Sequence, residues 1–299
     1  MRVLVTGGAG RLGRSVVAVL VERGHQVVSA DLTAGPIAPQ ATQRVVNLLD
    51  DAARSEVFAE ARPEAVLHLA GIAVPHSRPD TEILEINTLL AWTVLSDAAR
   101  AGARIAVAAS SPTVFGYGTP GWRPLRLPLD EEHPVAPLHS YGLSKAIIEE
   151  TVRTLARAEG ERCVFAAVRP GYVIAPEEWA GAPTQQGHTV AERLDRPELA
   201  AGSLFNYVDA RDAAELFALL AERPGDVRSG QILHAIADDA LARAPLAELL
   251  PRFHPGTAGL ADGLTGDLPA FSNAAARASV GWRPRRSWRT ELGASAPAS

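Results

Sequence analysis

An α/β fold built on a doubly wound parallel sheet is the class that three features of this 299-residue chain predict. Between residues 3 and 169, short apolar runs alternate with segments of helical period. The first such run leads straight into a glycine-rich turn, Val5-Thr-Gly-Gly-Ala-Gly-Arg-Leu-Gly13. Further on, a tyrosine and a lysine stand four residues apart in Ser140-Tyr-Gly-Leu-Ser-Lys145. Parallel strands need crossover connections, and helical crossovers cover both faces of the sheet.

The elements can be taken in order. Residues 3–6 form a short buried strand, and 13–23 a helix with Leu12, Val16, Val17 and Leu20 on one face, closed by Gly24. Strands are expected at 26–31 and 44–47, then a helix at 51–61 ended by Arg62-Pro63. A fourth strand covers 65–70, a long helix 81–101 ends at Gly102, and a fifth strand covers 105–110. Residues 140–160 read as a helix and 163–169 as a sixth strand. The rhythm then breaks. Residues 176–204 mix Pro, Gly, Gln and charge without a period. A helix at 208–222 and a strand at 231–237 follow, and 238–299 is rich in Ala, Gly, Pro and Arg, with a ragged end at 293–299. Substrate-covering elements are therefore expected in 176–204 and beyond 238. The division is 1–175 plus 205–237 for the sheet domain, and 176–204 plus 238–299 for the substrate part.

Composition narrows the function classes. Apolar residues make up 47% and charged residues 21%, as in an ordinary globular protein. A net charge of -5 gives no sign of nucleic-acid binding, and no apolar run is long enough to cross a membrane. Cys163 is the only cysteine, so no internal disulfide forms, and its apolar neighbours predict a buried thiol. The opening MRVLVTGG places a strand and a turn where a leader peptide has its apolar core. The reading is a cytoplasmic protein with a small-molecule substrate, no nucleic acid and no membrane. The eight histidines show no metal-ligand spacing. His68 reads as a hydrogen-bonded residue at a strand end, and His76, His133 and His139 as loop residues near the site.

The glycine turn has a physical reading. Gly7 allows the tight turn, Gly10 lets backbone approach a pyrophosphate, and Gly13 lets the helix pack close to the sheet. The helix N-terminus then offers free N–H groups and a positive dipole end to phosphate. Asp31 ends the second strand, where a carboxylate accepts hydrogen bonds from ribose hydroxyls and repels a 2′-phosphate. That favours NAD. Arg11 and Arg14 keep NADP open, because a nearby guanidinium can take a 2′-phosphate. Ser110 and Ser111 end the fifth strand, on the side of a parallel sheet where ligands bind. Tyr141 and Lys145 share one helix face. An ammonium beside a phenol favours the phenolate, so the tyrosine can exchange a proton with a substrate oxygen.

These residues match a known family. The chain resembles the extended short-chain dehydrogenase/reductases, the NAD-dependent epimerase/dehydratase group. The likeness rests on the glycine turn, His68-Leu-Ala-Gly71, Ser110-Ser-Pro-Thr-Val-Phe-Gly116, Tyr141-Gly-Leu-Ser-Lys145, Arg169-Pro-Gly-Tyr-Val173, Tyr207-Val-Asp-Ala-Arg-Asp212 and Gly281-Trp-Arg-Pro284. It implies a Rossmann-type sheet, a small C-terminal substrate-binding domain, a nicotinamide cofactor and a homodimer through two helices of each subunit. It implies catalytic roles for Ser111, Tyr141 and Lys145. Cofactor contacts are implied for Gly7, Gly10, Arg11, Leu12, Gly13, Asp31, Leu32, Asn47, Leu48, Leu69, Ala70, Gly71, Asn87, Tyr141, Lys145, Pro170 and Val173. Substrate contacts are implied for Ala73, Ser111, Pro112, Thr113, Tyr141 and Tyr172.

The departures from the family pattern also inform. Pro112 and Thr113 stand where the dehydratase branch has its Asp-Glu acid-base pair, which argues against loss of water. Tyr172 replaces an Asn usual in nucleotide-sugar enzymes, and Phe205 an Arg used for the diphosphate. His68-Leu-Ala-Gly-Ile-Ala-Val74 and the Ser110-Ser111 spacing look like uronate dehydrogenases of the same family. Yet Ala73 stands where they use Ser, and no arginine is placed for a uronate carboxylate. The expected function is an NAD-dependent oxidoreductase acting on a sugar- or polyol-like hydroxyl or ketone. Two others stay open: a sugar epimerase with tightly bound NAD, and a non-catalytic cofactor-sensing protein.

Overall fold

The computed structural model describes residues 1–119 and 121–293. Most of the ragged end expected at 293–299 therefore lies outside the described residues. β1 (Arg2–Thr6) sends Val3 and Val5 to one face and Leu4 to the other, all three buried. Period-two alternation with both faces apolar marks a strand in the middle of a parallel sheet. It is followed by α1 (Arg11–Glu22), β2 (Gln26–Asp31), β3 (Thr42–Val45), α2 (Asp51–Ala61) and β4 (Ala65–His68). Next come α3 (Asp80–Arg100), β5 (Ile105–Ala109), α4 (Ser140–Glu159) and β6 (Val164–Pro170). The chain continues through β7 (Val173–Ile174), α5 (Pro176–Trp179), α6 (Val190–Asp195), α7 (Glu198–Ala201), β8 (Val208–Asp209) and α8 (Ala210–Glu222). It closes with β9 (Gln231–Ala235), α9 (Leu246–Phe253), α10 (Ala274–Val280) and α11 (Trp288–Glu291).

Seven strands form one parallel sheet in the order β3-β2-β1-β4-β5-β6-β9. The order reverses between β1 and β4, so a crevice opens beyond their carboxyl ends. One face carries α1 and α8 over Val5, Val16, Leu20, Leu67, Val107 and Phe217. The other carries α2, α3 and α4 over Leu4, Val66, Val94, Ala106, Ile148 and Phe165. The doubly wound sheet expected from the alternation is the sheet the chain forms.

Boundaries shift where pairing decides them. The third strand lies at Thr42–Val45, two residues before its expected place, because Thr42 pairs with Val28 of β2. The expected helix at 208–222 begins two residues late. Val208 and Asp209 pair instead with Val173 and Ile174 as a two-stranded sheet. Asp209 then caps α8, its carboxylate accepting from the Arg211 N–H at 2.7 Å.

The unperiodic segments build a core of their own. Leu204 and Phe205, from the region before β8, meet Leu246, Leu250, Leu264 and Phe271 from the end of the chain, with Val114 and Phe115 beneath them. Not everything after 238 belongs there. Ala276, Val280 and Trp282 are buried with the first face of the large sheet.

A buried ion pair fixes α4 to the sheet. Glu149 of α4 and Arg169 of β6 have no solvent exposure. Glu149 accepts from Arg169 Nε at 2.6 Å and Nη2 at 2.7 Å, and from the Ser110 hydroxyl at 2.6 Å. Arg169 Nη1 reaches His234 Nε2 at 3.3 Å. Burial drives the His234 pKa down to about 3, so the ring is neutral. It can then accept at Nε2 while Nδ1–H donates to the Ser272 carbonyl at 2.9 Å. Removing one member strands a buried charge, which costs about 3–5 kcal/mol. Glu149→Gln is therefore expected to lower unfolding stability by roughly that amount in urea titration. A midpoint close to wild type would show that the pair does not hold the helix.

Candidate active site

At the strand-order reversal lies a cavity of about 800 Å³. This is within the usual range of small-molecule sites, roughly 300–1,000 Å³. Its cofactor end is made by the glycine turn. A Cβ on Gly13 would sit 2.0 Å from the Gly7 carbonyl oxygen, so only glycine lets α1 start this close to β1. Gly7 has φ of +73°, and a Cβ there would meet Ala70 N at 2.5 Å. Gly10 differs, because its nearest neighbour would be the Gly7 oxygen at 3.2 Å. Gly10 faces the cavity and leaves room for a ligand's oxygens. This cradle, with N–H groups at the start of α1, fits a pyrophosphate.

Asp31 closes the far end of the cavity. Its Oδ2 accepts from the Ala9 N–H at 3.1 Å. The two arginines that kept a 2′-phosphate open are already engaged. Arg11 pairs with the buried carboxylate of Glu178 and donates to the Val173 carbonyl at 3.3 Å. Arg14 pairs with Glu177 at 2.5 Å. Both glutamates come from α5, in the stretch without a period. A carboxylate lining this end of the cavity, with the nearby guanidinium groups neutralised, fits NAD and disfavours NADP.

Midway along the cavity stand Ser111, Tyr141 and Lys145. His139 caps α4, its Nδ1 accepting from the Gly142 N–H at 3.0 Å, and its ring stacks against Tyr141. Ser111 accepts from Thr113 N at 3.2 Å and from the Thr113 hydroxyl at 3.0 Å. Burial pushes the Tyr141 phenol up to about 12, and the nearby Ser111 hydroxyl pulls the other way. Lys145 Nζ donates to the Ala109 carbonyl at 3.0 Å and lies 5.5 Å from the Tyr141 ring centroid. Burial lowers its pKa to about 8, which leaves it mostly protonated at pH 7.

Nearly all the residues singled out in the sequence line this cavity: Gly7, Gly10, Arg11, Leu12, Gly13, Asp31, Leu32, Asn47, Leu48, Leu69, Ala70, Gly71, Ala73, Ser111, Pro112, Thr113, Tyr141, Lys145, Pro170, Tyr172 and Val173. Asn87, expected at the cofactor, does not. It is 1% exposed, and its amide holds Ile72 N at 2.7 Å, Ile72 O at 3.1 Å and Ser144 Oγ at 3.1 Å. It shapes the loop that forms the wall. Ser110 lines the cavity too, but its hydroxyl is spent on Glu149 at 2.6 Å. His68 is only half satisfied. Its Nδ1 meets the Thr6 hydroxyl at 2.7 Å, while its Nε2 is buried without a partner among the described residues.

The sequence reading missed the far wall. Tyr117, Gln185, Gln186, Arg193, Ser203 and Asn206 all line the cavity. One signal was available. Thr189 and Glu192 form a capping box, T-x-x-E, that announces α6 and therefore the face bearing Arg193.

Residues 3–235 match the model of the NAD dependent epimerase/dehydratase family. The chain belongs to that family. Its cofactor is NAD, and its fold is that of the short-chain dehydrogenase/reductase superfamily. The UDP-glucose 4-epimerase of Azospirillum brasilense is 35% identical over 171 residues, which is 55% of this chain and 47% of that protein. The chain spans about half the length of the curated relatives it matches. Among solved structures, a UDP-galactose 4-epimerase is 26% identical with a TM-score of 0.69, covering 98% of this chain and 96% of its own. A short-chain dehydrogenase/reductase superfamily protein from Agrobacterium tumefaciens with bound NAD is 25% identical with a TM-score of 0.71, covering 97% and 94%.

Two outcomes follow from this geometry. NAD should bind more tightly than NADP in calorimetric titration. Asp31→Ala should weaken NAD about tenfold or more, since a hydrogen bond to a charged group contributes about 1.5–3 kcal/mol. Equal affinities in the wild type would contradict the assignment of Asp31.

The second concerns Lys145. Its folded pKa, about 8, lies below the ordinary lysine value of 10.5. The unfolded chain therefore binds more protons between those values, and stability from this group rises with pH across the window. The full cost of the buried cation is present below about pH 8. Compared with Lys145→Met, the wild type should gain stability from pH 8 to 10.5 in paired denaturation curves. A constant difference would show that Lys145 is not desolvated.

Proposed function

We propose that this chain transfers a hydride between NAD and a sugar- or polyol-like hydroxyl or ketone. The observation that carries the reading is the meeting of Ser111, Tyr141 and Lys145 on one wall of the cavity that the glycine turn closes. Bound NAD supplies the hydride acceptor or donor. Ser111 positions the substrate oxygen, and Tyr141 exchanges the proton with it. In the reducing direction Tyr141 is ready as drawn, because a phenol pushed up to about 12 carries its proton at neutral pH. In the oxidising direction the proton must move to the phenolate, which the Lys145 ammonium favours. Lys145 also holds the nicotinamide ribose in this proposal. The cofactor contacts are those named from the sequence, apart from Asn87, which acts through Ile72. Ala73, Pro112, Thr113 and Tyr172 face substrate. The sheet domain takes 1–175 and 205–237, with the substrate part supplied by 176–204 and by the segment after 238, apart from the stretch around Ala276, Val280 and Trp282 that packs on the sheet.

A second reading is a sugar epimerase that keeps NAD bound and returns the hydride to the other face. It is favoured by the names of the curated relatives, which are UDP-glucose 4-epimerases. Purified protein carrying NAD, with no net NADH formed, would select it. A cofactor sensor without catalysis is disfavoured by the presence of both Tyr141 and Lys145. A homodimer belongs to this proposal, supported by Leu89 and Trp92 of α3 and Leu143 of α4, which are exposed on adjoining helices. So does a cytoplasmic location, supported by a lone buried thiol, Cys163. Among the described residues no helix is long and apolar enough to cross a membrane.

Tyr141→Phe is the direct test. The ring stays and the packing with it, so NAD affinity and thermal stability should stay near wild type. Turnover should fall about 10²–10⁴-fold, the usual contribution of a positioned acid-base group. A variant that remains fully active would remove Tyr141 from the reaction.

A further inference from the structure

The far wall of the cavity holds a buried cation with no anion beside it among the described residues. Arg193 of α6 is 1% exposed. Its Nη1 donates to Gln186 Oε1 at 2.6 Å, and its guanidinium lies 4.1 Å from the Tyr172 ring centroid. Its Nε is buried and has no hydrogen-bond partner among the described residues, and neither has the buried Tyr172 hydroxyl. Both residues line the cavity. The other buried arginines differ. Arg54 meets Asp51 and Asp97, and Arg169 meets Glu149. Arg193 has no such carboxylate among the described residues. Burial alone lowers its pKa, with only the Tyr172 phenol opposing.

An unpaired buried guanidinium costs stability, and a chain retains that cost where a ligand repays it. Gln186 occupies Nη1 and leaves the edge formed by Nε and Nη2. That edge takes two oxygens of one anion side by side. We propose that Arg193, with Tyr172 beside it, receives an oxyanion carried by the substrate, a carboxylate or a phosphate on the sugar- or polyol-like skeleton. The substrate is then an acid rather than a neutral polyol. This assignment rests on the cavity being the hydride-transfer site. It also supplies the arginine that the sequence reading could not find, on a different element from the position that Phe205 occupies.

Thermal unfolding with defined probes tests the assignment. D-Glucuronate, D-glucose 6-phosphate and D-glucose are each added to wild type, Arg193→Met and Arg193→Lys, with and without NAD. One or both acids should raise the wild-type Tm by several degrees, and D-glucose should not. Which acid does so separates carboxylate from phosphate. The shift should vanish in Arg193→Met and shrink in Arg193→Lys, which keeps the charge without the fork. Without probes, Arg193→Met should melt at or above the wild-type temperature, because it removes an unpaired buried charge. A marked drop in its Tm would make Arg193 a structural residue and overturn the proposal. So would equal shifts from D-glucose, or no shift from either acid. Failure of the wild type to bind NAD would count against the hydride-transfer reading, while the contrast between acids and D-glucose would still score Arg193.

Discussion

The Glu149–Arg169 pair is the constraint on which the site depends. Two charges without solvent are tolerated only when their hydrogen bonds are nearly complete. Here Ser110, His234 and the Glu131 carbonyl fill the remaining places. The pair therefore ties α4, the ends of β5 and β6, and β9 to one another. Glu149 lies one helical turn beyond Lys145 and two beyond Tyr141, so anchoring it sets the rotation of the helix that carries both. With the Ser110 hydroxyl held by Glu149, the next residue, Ser111, lines the same cavity as Tyr141. A buried network thus fixes the helix from which Tyr141 and Lys145 reach the cavity.

The cofactor end follows a different rule, that of space. Gly7 and Gly13 are forced by close backbone approach, whereas Gly10 faces room. Charge is then arranged around that space. Asp31 stays available because Glu177 and Glu178 of α5 engage Arg14 and Arg11. The charge surrounding one acidic residue thus depends on two others far along the chain.

The substrate side is assembled from segments distant in sequence. Leu204 and Phe205 adopt left-handed backbone, with φ of +51° and +58°. Such conformations are costly for bulky side chains and persist where the surroundings hold them. Here both side chains are fully buried in the small core. The turn they make brings Asn206 back to the Tyr172 backbone N–H, 3.0 Å from its Oδ1. The ring of Tyr172 in turn supports Arg193.

Local pattern was enough for the sheet, the glycine turn, Asp31, Ser111, Tyr141 and Lys145 to be legible in the sequence. Each of these is written within a few residues, as a strand running into a turn or as two side chains one helical turn apart. The motif position of Asn87 is local and points to a cofactor contact, while its hydrogen bonds to Ile72 and Ser144 are not local. Arg193 was illegible for the same reason. Its segment has no period, and its meaning comes from which carboxylates fail to reach it and which cavity it lines. Pairing and burial are properties of the packed chain, so only the tertiary structure decided which buried arginines are neutralised and which one, among the described residues, has no carboxylate.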